Sequence, residues 1–429
     1  MVDDDFRVEV IGHATLRVQA GGRTLLTDPW LVDPLGSNSA SHFPPLVHDP
    51  ARLAAETDAI YVSHVHPDHF HRPSLALFPR TTPIYIGGYR RKTFRDELRR
   101  LGFPVVEVPF DVPARIDGTP FEVTVLEHDA DEIAAFDSAI VIRTPEFTVF
   151  ENNDCFLRPE RYARVRARHP VDYAFLGYSP ASFFPIAFEL DPVEKAALLV
   201  AAADRRYGEF IAAAERLRPG LVVPFASGLR FLAPSAQWKN VLFNSAPEAA
   251  RRARARGLRS EVMGPGDRIA VDGEVRRLSA ILERDAELAA IARHADDVGA
   301  WLTELARREA PANDDVVERF RDYVLGLWRE TGARLPGVRD SVIAYELVGP
   351  VARRFYFDFS RADGDVFQWG EPARYDMRYR YPAGALQQRL DGRIDWDELH
   401  FASDVSVHQV RYAKEFYTML RSATLDGQA

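Results

Sequence analysis

The residues best able to do chemistry in this chain fall in one short run, His64-Val65-His66-Pro67-Asp68-His69. Histidines one residue apart on a loop leaving a strand share a side, so His64 and His66 form a chelating pair. Asp68 and His69 turn towards a neighbouring position, where carboxylate oxygen beside imidazole suits iron, zinc or manganese. Histidines that merely cap a following helix would account for an isolated pair. They do not account for the full pattern placed directly after the apolar run Ala59-Ile60-Tyr61-Val62-Ser63. His71 lies outside the pattern and reads as a lid or surface residue.

The surrounding sequence alternates strand and helix signals. Residues 7–28 alternate apolar and polar around Gly21-Gly22, a hairpin pattern whose last strand ends on Asp28. Residues 29–50 have no usable period and form a long loop carrying Trp30, His42 and His48. Strands follow at 59–63, 83–86, 105–108, 121–127, 139–150, 173–176 and 221–224, with helices near Pro73, at 92–101 and over 192–218. This α/β part closes near residue 275. From 278 to 330 the chain is helical, with Leu282, Leu288, Ile291, Val298, Trp301, Leu302 and Leu305 on one stripe. Strands at 342–347, 354–360 and 374–381 then precede two helices, one bearing Trp396 and Leu399, the other Tyr412, Phe416 and Leu420. Two domains are expected, a catalytic one over 1–275 and a helical, then α+β, accessory one over 276–429.

From Gly12-His13-Ala14-Thr15 to about residue 245 the sequence resembles the metallo-β-lactamase superfamily. That resemblance implies an αββα sandwich with metals on loops at the edge of two facing sheets. It implies ligand roles for His64, His66, Asp68 and His69, with Asp68 also orienting a water. Asp28 matches the early aspartate that supports the histidine loop, and it could equally begin the Asp-Pro turn. His128 matches a third histidine ligand, with Glu127 beside it as the alternative. Asp154, in Glu151-Asn152-Asn153-Asp154-Cys155, matches a carboxylate able to bridge two ions, or else shapes a turn. The superfamily's late histidine is missing, since the chain reads Pro224-Phe225-Ala226-Ser227-Gly228. A second metal position would be weak, empty, or completed by His42, His48 or water.

The segments around Asp154, Leu176-Gly177-Tyr178-Ser179, Pro224-Ser227 and Leu390-Leu399 are similar to the branch containing CMP-N-acetylneuraminate hydroxylase. That branch implies an iron oxygenase, with one or two ions, that takes electrons from a Rieske cluster. Such a cluster needs two cysteines, and this sequence has one, so a separate electron-donor protein or reductant is expected. The alternative is a zinc hydrolase of an ester, amide or phosphodiester. A non-catalytic binding module is the third class, and the intact loop histidines argue against it. Tyr178, Ser227, Lys239, Asn240 and His42 are the expected contacts of a small-molecule substrate, with Phe225 as a further wall. Cys155, Trp238 and Trp396 read as packed residues.

Composition limits the partners. The 429 residues are 46% hydrophobic with no apolar run near the roughly 20 a membrane span needs. The start, Met1-Val2-Asp3-Asp4-Asp5, is acidic, unlike a signal peptide, so a cytoplasmic location is expected. A net charge of −9 disfavours nucleic acid, and Arg251-Arg252-Ala253-Arg254-Ala255-Arg256 reads as a solvated helix face. The C-terminal module has three candidate roles: shaping the pocket, packing against a second subunit in a homodimer, or docking the electron donor.

Overall fold

A computed structural model describes residues 6–35, 40–129, 137–180, 182–234, 236–309, 312–331, 335–361, 365–411, 415–416 and 419–420. Met1–Asp5 and Tyr412 lie outside them. Strands β1 (Phe6–Gly12), β2 (Thr15–Ala20) and β3 (Arg23–Thr27) form a meander. Gly21 and Gly22 both adopt positive φ at its second turn, as glycine does without steric cost. After the short β4 (Ala40–His42), the parallel strands β5 (Ala59–Tyr61), β6 (Ile84–Gly87) and β7 (Val105–Val108) extend the same sheet. A second sheet contains β8 (Ala114–Arg115), β9 (Glu122–Glu127), β10 (Ser138–Arg143), β11 (Thr148–Glu151), β12 (Tyr173–Gly177) and β13 (Leu221–Phe225), hydrogen-bonded in that order. β14 (Leu229–Phe231) pairs with β4, while β15 (Arg268–Ala270) and β16 (Val275–Arg276) return to β1.

The pattern of burial explains the layers. Val8, Leu16, Leu25 and Tyr61 of the first sheet meet Val125, Ile140, Phe175 and Val223 of the second in one apolar core. β12 and β13 are buried along their whole length, as parallel strands covered on both faces must be. Leu26, Ile60 and Ile86 face outward under the helices Pro50–Ala55 and Thr93–Arg100. Leu126, Phe150, Ala174 and Leu176 face the helices Pro159–Arg168, Pro192–Leu217 and Ala246–Arg254. The result is a helix–sheet–sheet–helix sandwich.

A second body follows. Its sheet runs β19 (Phe367–Trp369), β18 (Arg353–Asp358), β17 (Val342–Val348), β20 (Met377–Pro382), β21 (Ser406–Gln409), with β17 and β20 parallel. The helices Val316–Thr331, Ala383–Leu390 and Trp396–Ala402 pack against it around Phe320, Tyr345, Phe355, Tyr381 and Trp396. β19, β21 and the Ala383–Leu390 helix escaped the sequence pattern because each is short.

The expected helical run over 278–330 is two helices with different allegiances. Arg284–Glu309 sets Ile291, Ala295 and Leu302 against Phe43 and Leu232 of the sandwich. Val316–Thr331 belongs to the second body's core. Phe188 of the sandwich enters that core too, and Glu189 N and Val407 N make backbone bonds across the junction. Trp238, expected to be packed, is 45% exposed, and Trp301, on the expected apolar stripe, is 50% exposed. Trp396 is buried as expected. The arginine run is neutralised locally, Arg251 pairing with Glu248 and Glu283 and Arg252 with Glu248 and Asp204. Among the described residues no helix is long and apolar enough to cross a membrane.

Arg230, buried in the sandwich, joins Glu287 of the Arg284–Glu309 helix at 2.6 Å. Glu287→Ala strands a buried guanidinium and should cost about 3 kcal/mol in the first unfolding transition, measured with denaturant. The Arg230→Met/Glu287→Met double variant should lose less than the single one.

Candidate metal centre

Register sets the site. β3 pairs with β5 so that Thr27 lies opposite Tyr61, and Asp28 N donates to Tyr61 O at 2.9 Å. Asp28 therefore stands beside Ser63, where the histidine loop begins. Its buried carboxylate accepts from Ser63 N (2.6 Å), Ser63 Oγ (2.6 Å), Asn153 Nδ2 (2.7 Å) and His69 Nδ1 (2.8 Å). Asp28, Asn153 and Ala226 all have positive φ, a conformation that non-glycine residues adopt at a cost, and all three sit around this site.

These contacts fix which ring nitrogen each histidine offers. His69 gives its Nδ1 hydrogen to Asp28, leaving Nε2 as the acceptor. That atom is buried and has no hydrogen-bond partner among the described residues. Ser63 Oγ, its own hydrogen committed to Asp28, receives the Nδ1 hydrogen of His64 at 2.9 Å. His64 Nε2 then faces His66 Nδ1 at 2.8 Å, Asp137 Oδ1 at 3.5 Å and Asp154 Oδ2 at 3.9 Å. Asp154 Oδ2 lies 3.8 Å from His69 Nε2. Asp68 Oδ2 is 3.7 Å from the same nitrogen.

Three overlapping groups of ligand atoms result: His64, His66 and Asp137; His64, His69 and Asp154; His13, Asp68 and His69. An orphaned imidazole nitrogen among carboxylate oxygens is the environment a divalent transition metal fits.

The expected residues His64, His66, Asp68, His69 and Asp154 come together. His128 does not join any of the groups among the described residues. Its Nδ1 accepts the Phe156 backbone N–H at 2.9 Å, and the carboxylate beside His64 is that of Asp137. Glu127 is exposed at the end of β9. Asp137 could have been found from hairpin register: Ser138 pairs with Glu127, which puts Asp137 across from His128.

His13 was noted only as part of a motif. The Gly228 N–H donates to its Nδ1 at 3.1 Å, so Nε2 carries the hydrogen in the neutral ring and donates to Asp68 Oδ2 at 3.1 Å. That geometry makes His13 a hydrogen-bond partner of Asp68 more than a ligand. A Cβ on Gly228 would lie 2.8 Å from the His13 backbone, so glycine is required there. The late segment without a histidine thus acts through its backbone.

Other expectations need correction. His42 is buried, its ring 3.7 Å from that of Trp30 and its Nδ1 2.9 Å from Asp33, and it joins none of the ligand groups among the described residues. His48 pairs with Glu9 at 3.1 Å instead of reaching the centre. His71 is buried and bonds Ser74 Oγ at 2.7 Å, so it is no lid. Lys239 is buried and gives its ammonium hydrogens to the carbonyls of Phe401 and Ser403. Asn240 makes both its side-chain bonds to the Phe231 backbone, at 2.9 and 2.8 Å. Both side chains are thus committed to neighbouring backbone groups. Tyr178 and Ser227 do line a cavity of about 110 Å³, with His13, Phe43, Phe225 and Met263. Cys155 is buried among apolar side chains, and burial pushes its thiol well up, as packing and not nucleophilic chemistry requires.

Residues 7–144 match the Beta-lactamase superfamily domain. This chain carries a metallo-β-lactamase superfamily domain. Over 241 residues it is 29% identical to a Mycobacterium tuberculosis (strain ATCC 25618 / H37Rv) protein provisionally named a Rieske 2Fe-2S iron-sulfur protein, covering 54% of this chain and 46% of that one. Over 189 residues it is 28% identical to the cytidine monophosphate-N-acetylneuraminic acid hydroxylase of Danio rerio, covering 42% and 30%. The chain thus spans less than half the length of either curated relative. Among solved structures, CmlA, a diiron β-hydroxylase from Streptomyces venezuelae, superposes with a TM-score of 0.45 at 20% identity, over 65% of this chain and 55% of that one. An isothiocyanate hydrolase from Delia radicum gut bacteria superposes with a TM-score of 0.43 at 17% identity, over 64% and 99%.

Without a bound cation, the surrounding carboxylates favour protons on the imidazoles. Burial alone would lower the pKa of His66 and His69, but Asp397, Asp137 and Asp68 around the first, and Asp68, Asp28 and Asp154 around the second, push both up to about 10. Burial and the two neighbouring cationic rings hold His64 well below its ordinary value. Both raised values exceed the unfolded value of about 6.5, so these protons stabilise the metal-free protein below that pH. The stabilisation is lost as pH climbs through about 10. A cation must displace the same protons, so its apparent affinity should strengthen from pH 6 to pH 9. Calorimetric titration in buffers of different ionisation enthalpy should register proton release at pH 7.

Proposed function

We propose that this protein is a metal-dependent oxygenase that uses iron, O₂ and external electrons to hydroxylate or oxidise a small molecule. The observation that carries this reading is the donor set: the imidazoles of His64, His66 and His69 facing as many carboxylates, Asp68, Asp137 and Asp154, with His13 bonded to Asp68 and no late histidine to make the centre richer in nitrogen. Hard oxygen donors mixed with imidazole are the ligands of non-haem iron. The resemblance to a protein named as a hydroxylase and to one named for an iron–sulfur cluster supports the same reading.

His64, His66 and Asp137 would hold one ion, and Asp68 and His69 a second, with Asp154 shared, since its Oδ2 is 3.9 Å from His64 Nε2 and 3.8 Å from His69 Nε2. Iron bound there supplies the oxygen chemistry. The chain's own residues supply the rest. Asp28 and Ser63 keep the acceptor nitrogens aimed inward, and His13 holds a proton on Nε2 against Asp68. The cavity lined by Phe43, Tyr178, Phe225 and Ser227 shares His13 with the centre and would receive the apolar part of the substrate. Cys155 is the single cysteine, so electrons come from outside these 429 residues, from a donor protein or a reductant.

A zinc hydrolase of an ester, amide or phosphodiester is the second reading, favoured by the same imidazoles and by the His13–Asp68 pair, which is suited to orienting a water. Metal analysis of protein expressed without added metal separates the two. Iron at one or two ions per chain, with O₂ uptake under reduction that His64→Ala lowers by at least about 100-fold, is the expected result. Zinc without iron and no O₂ uptake would overturn the oxygenase and favour hydrolysis.

A further inference from the structure

The Trp396–Ala402 helix belongs to the second body, yet its first turn ends at the metal centre of the first. Asp397 Oδ2 lies 3.5 Å from His66 Nε2. The two nitrogens of that ring have opposite duties. Nδ1 faces His64 Nε2 and falls with it and Asp137 in one ligand group. Nε2, on the outer side, carries the hydrogen when Nδ1 is left free to bind a cation. A ligating histidine needs an acceptor for that outer hydrogen to fix its ring and tautomer. Ser63 serves His64 and Asp28 serves His69, both from the sandwich itself. For His66 the carboxylate at hand is Asp397.

The helix that brings it is held on both flanks. Trp396 is buried in the second body and donates from Nε1 to Tyr323 OH at 3.0 Å. His400 gives its Nδ1 hydrogen to Trp396 O at 2.6 Å and faces Tyr381 OH at 2.7 Å. Asp395 and Glu398 close a capping box around the first turn. From the sandwich, Lys239 binds the Phe401 and Ser403 carbonyls, and Phe401 packs against Phe231 and Phe243. Lys239, expected to touch substrate, instead seats this helix.

Resting on the metal-centre reading above, we propose that Asp397 is a positioning residue. Through it the second body supplies the carboxylate that accepts the Nε2 hydrogen of His66 and turns Nδ1 towards the ion.

Titration of the metal-free full chain with Co(II), whose visible bands report ligand geometry, tests this with Asp397→Ala, Asp397→Asn and His64→Ala. Asp397→Ala should weaken binding about 10- to 100-fold and shift the bands. Asp397→Asn, whose carbonyl oxygen still accepts the hydrogen, should recover most of the affinity. Thermal midpoints of the metal-free variants report folding, and Asp397→Ser, too short to reach the ring, replaces the alanine variant if that misfolds. Wild-type Co(II) affinity in Asp397→Ala, with none in His64→Ala, overturns the positioning role and leaves the metal centre standing. Equal loss in Asp397→Asn and Asp397→Ala overturns it in favour of direct ligation. Unchanged binding in His64→Ala removes the metal-centre reading and this inference with it.

Discussion

Everything at the centre depends on one buried carboxylate. Asp28 collects hydrogens from a backbone amide, a hydroxyl, a side-chain amide and an imidazole, and each bond constrains a different segment. Through Ser63 it sets the start of the histidine loop and, one step further, the tautomer of His64. Through Asn153 it holds the turn that carries Asp154. Through His69 it leaves an imidazole nitrogen buried with no hydrogen-bond partner among the described residues. Burying a polar atom without a partner is expensive, so such an atom marks the place a cation would occupy.

The sheet architecture explains why so many segments can converge on that point. β3 and β5 are parallel neighbours, so their C-terminal ends, Asp28 and Ser63, emerge side by side. β11 is parallel to β12 in the facing sheet, and its C-terminal end delivers Asn153 and Asp154 to the same edge. The sandwich core is apolar and supplies rigidity. The edge is where polar residues can meet without being stranded.

Much of this was legible before any coordinates. The His-x-His-x-Asp-His run and the strand before it follow from local pattern, while Asp28 and Asp154 were marked by the resemblance to the superfamily, each within a few residues of a strand end. The helix over 192–218 was legible from its period. What escaped shares one physical cause: it depends on segments far apart in the chain. Asp137 reaches His64 through a hairpin register. His13 finds its role from the Gly228 amide, and Asp397 from a helix more than three hundred residues downstream of its imidazole partner. Lys239 and Trp238 were misjudged for the same reason, since a basic or aromatic residue on a short turn gives no local sign of which body it will face.

Phe188 is a side chain of the sandwich that lies inside the core of the other body, with strand-like backbone bonds on either side of it. A boundary drawn along the chain near residue 275 therefore does not coincide with a boundary in space. Truncation there would leave an aromatic anchor and its neighbours Phe183 and Leu190 facing water, and would remove the strand edge to which they are sewn. The two bodies are separable on paper by residue number, but the solvent would see a torn surface.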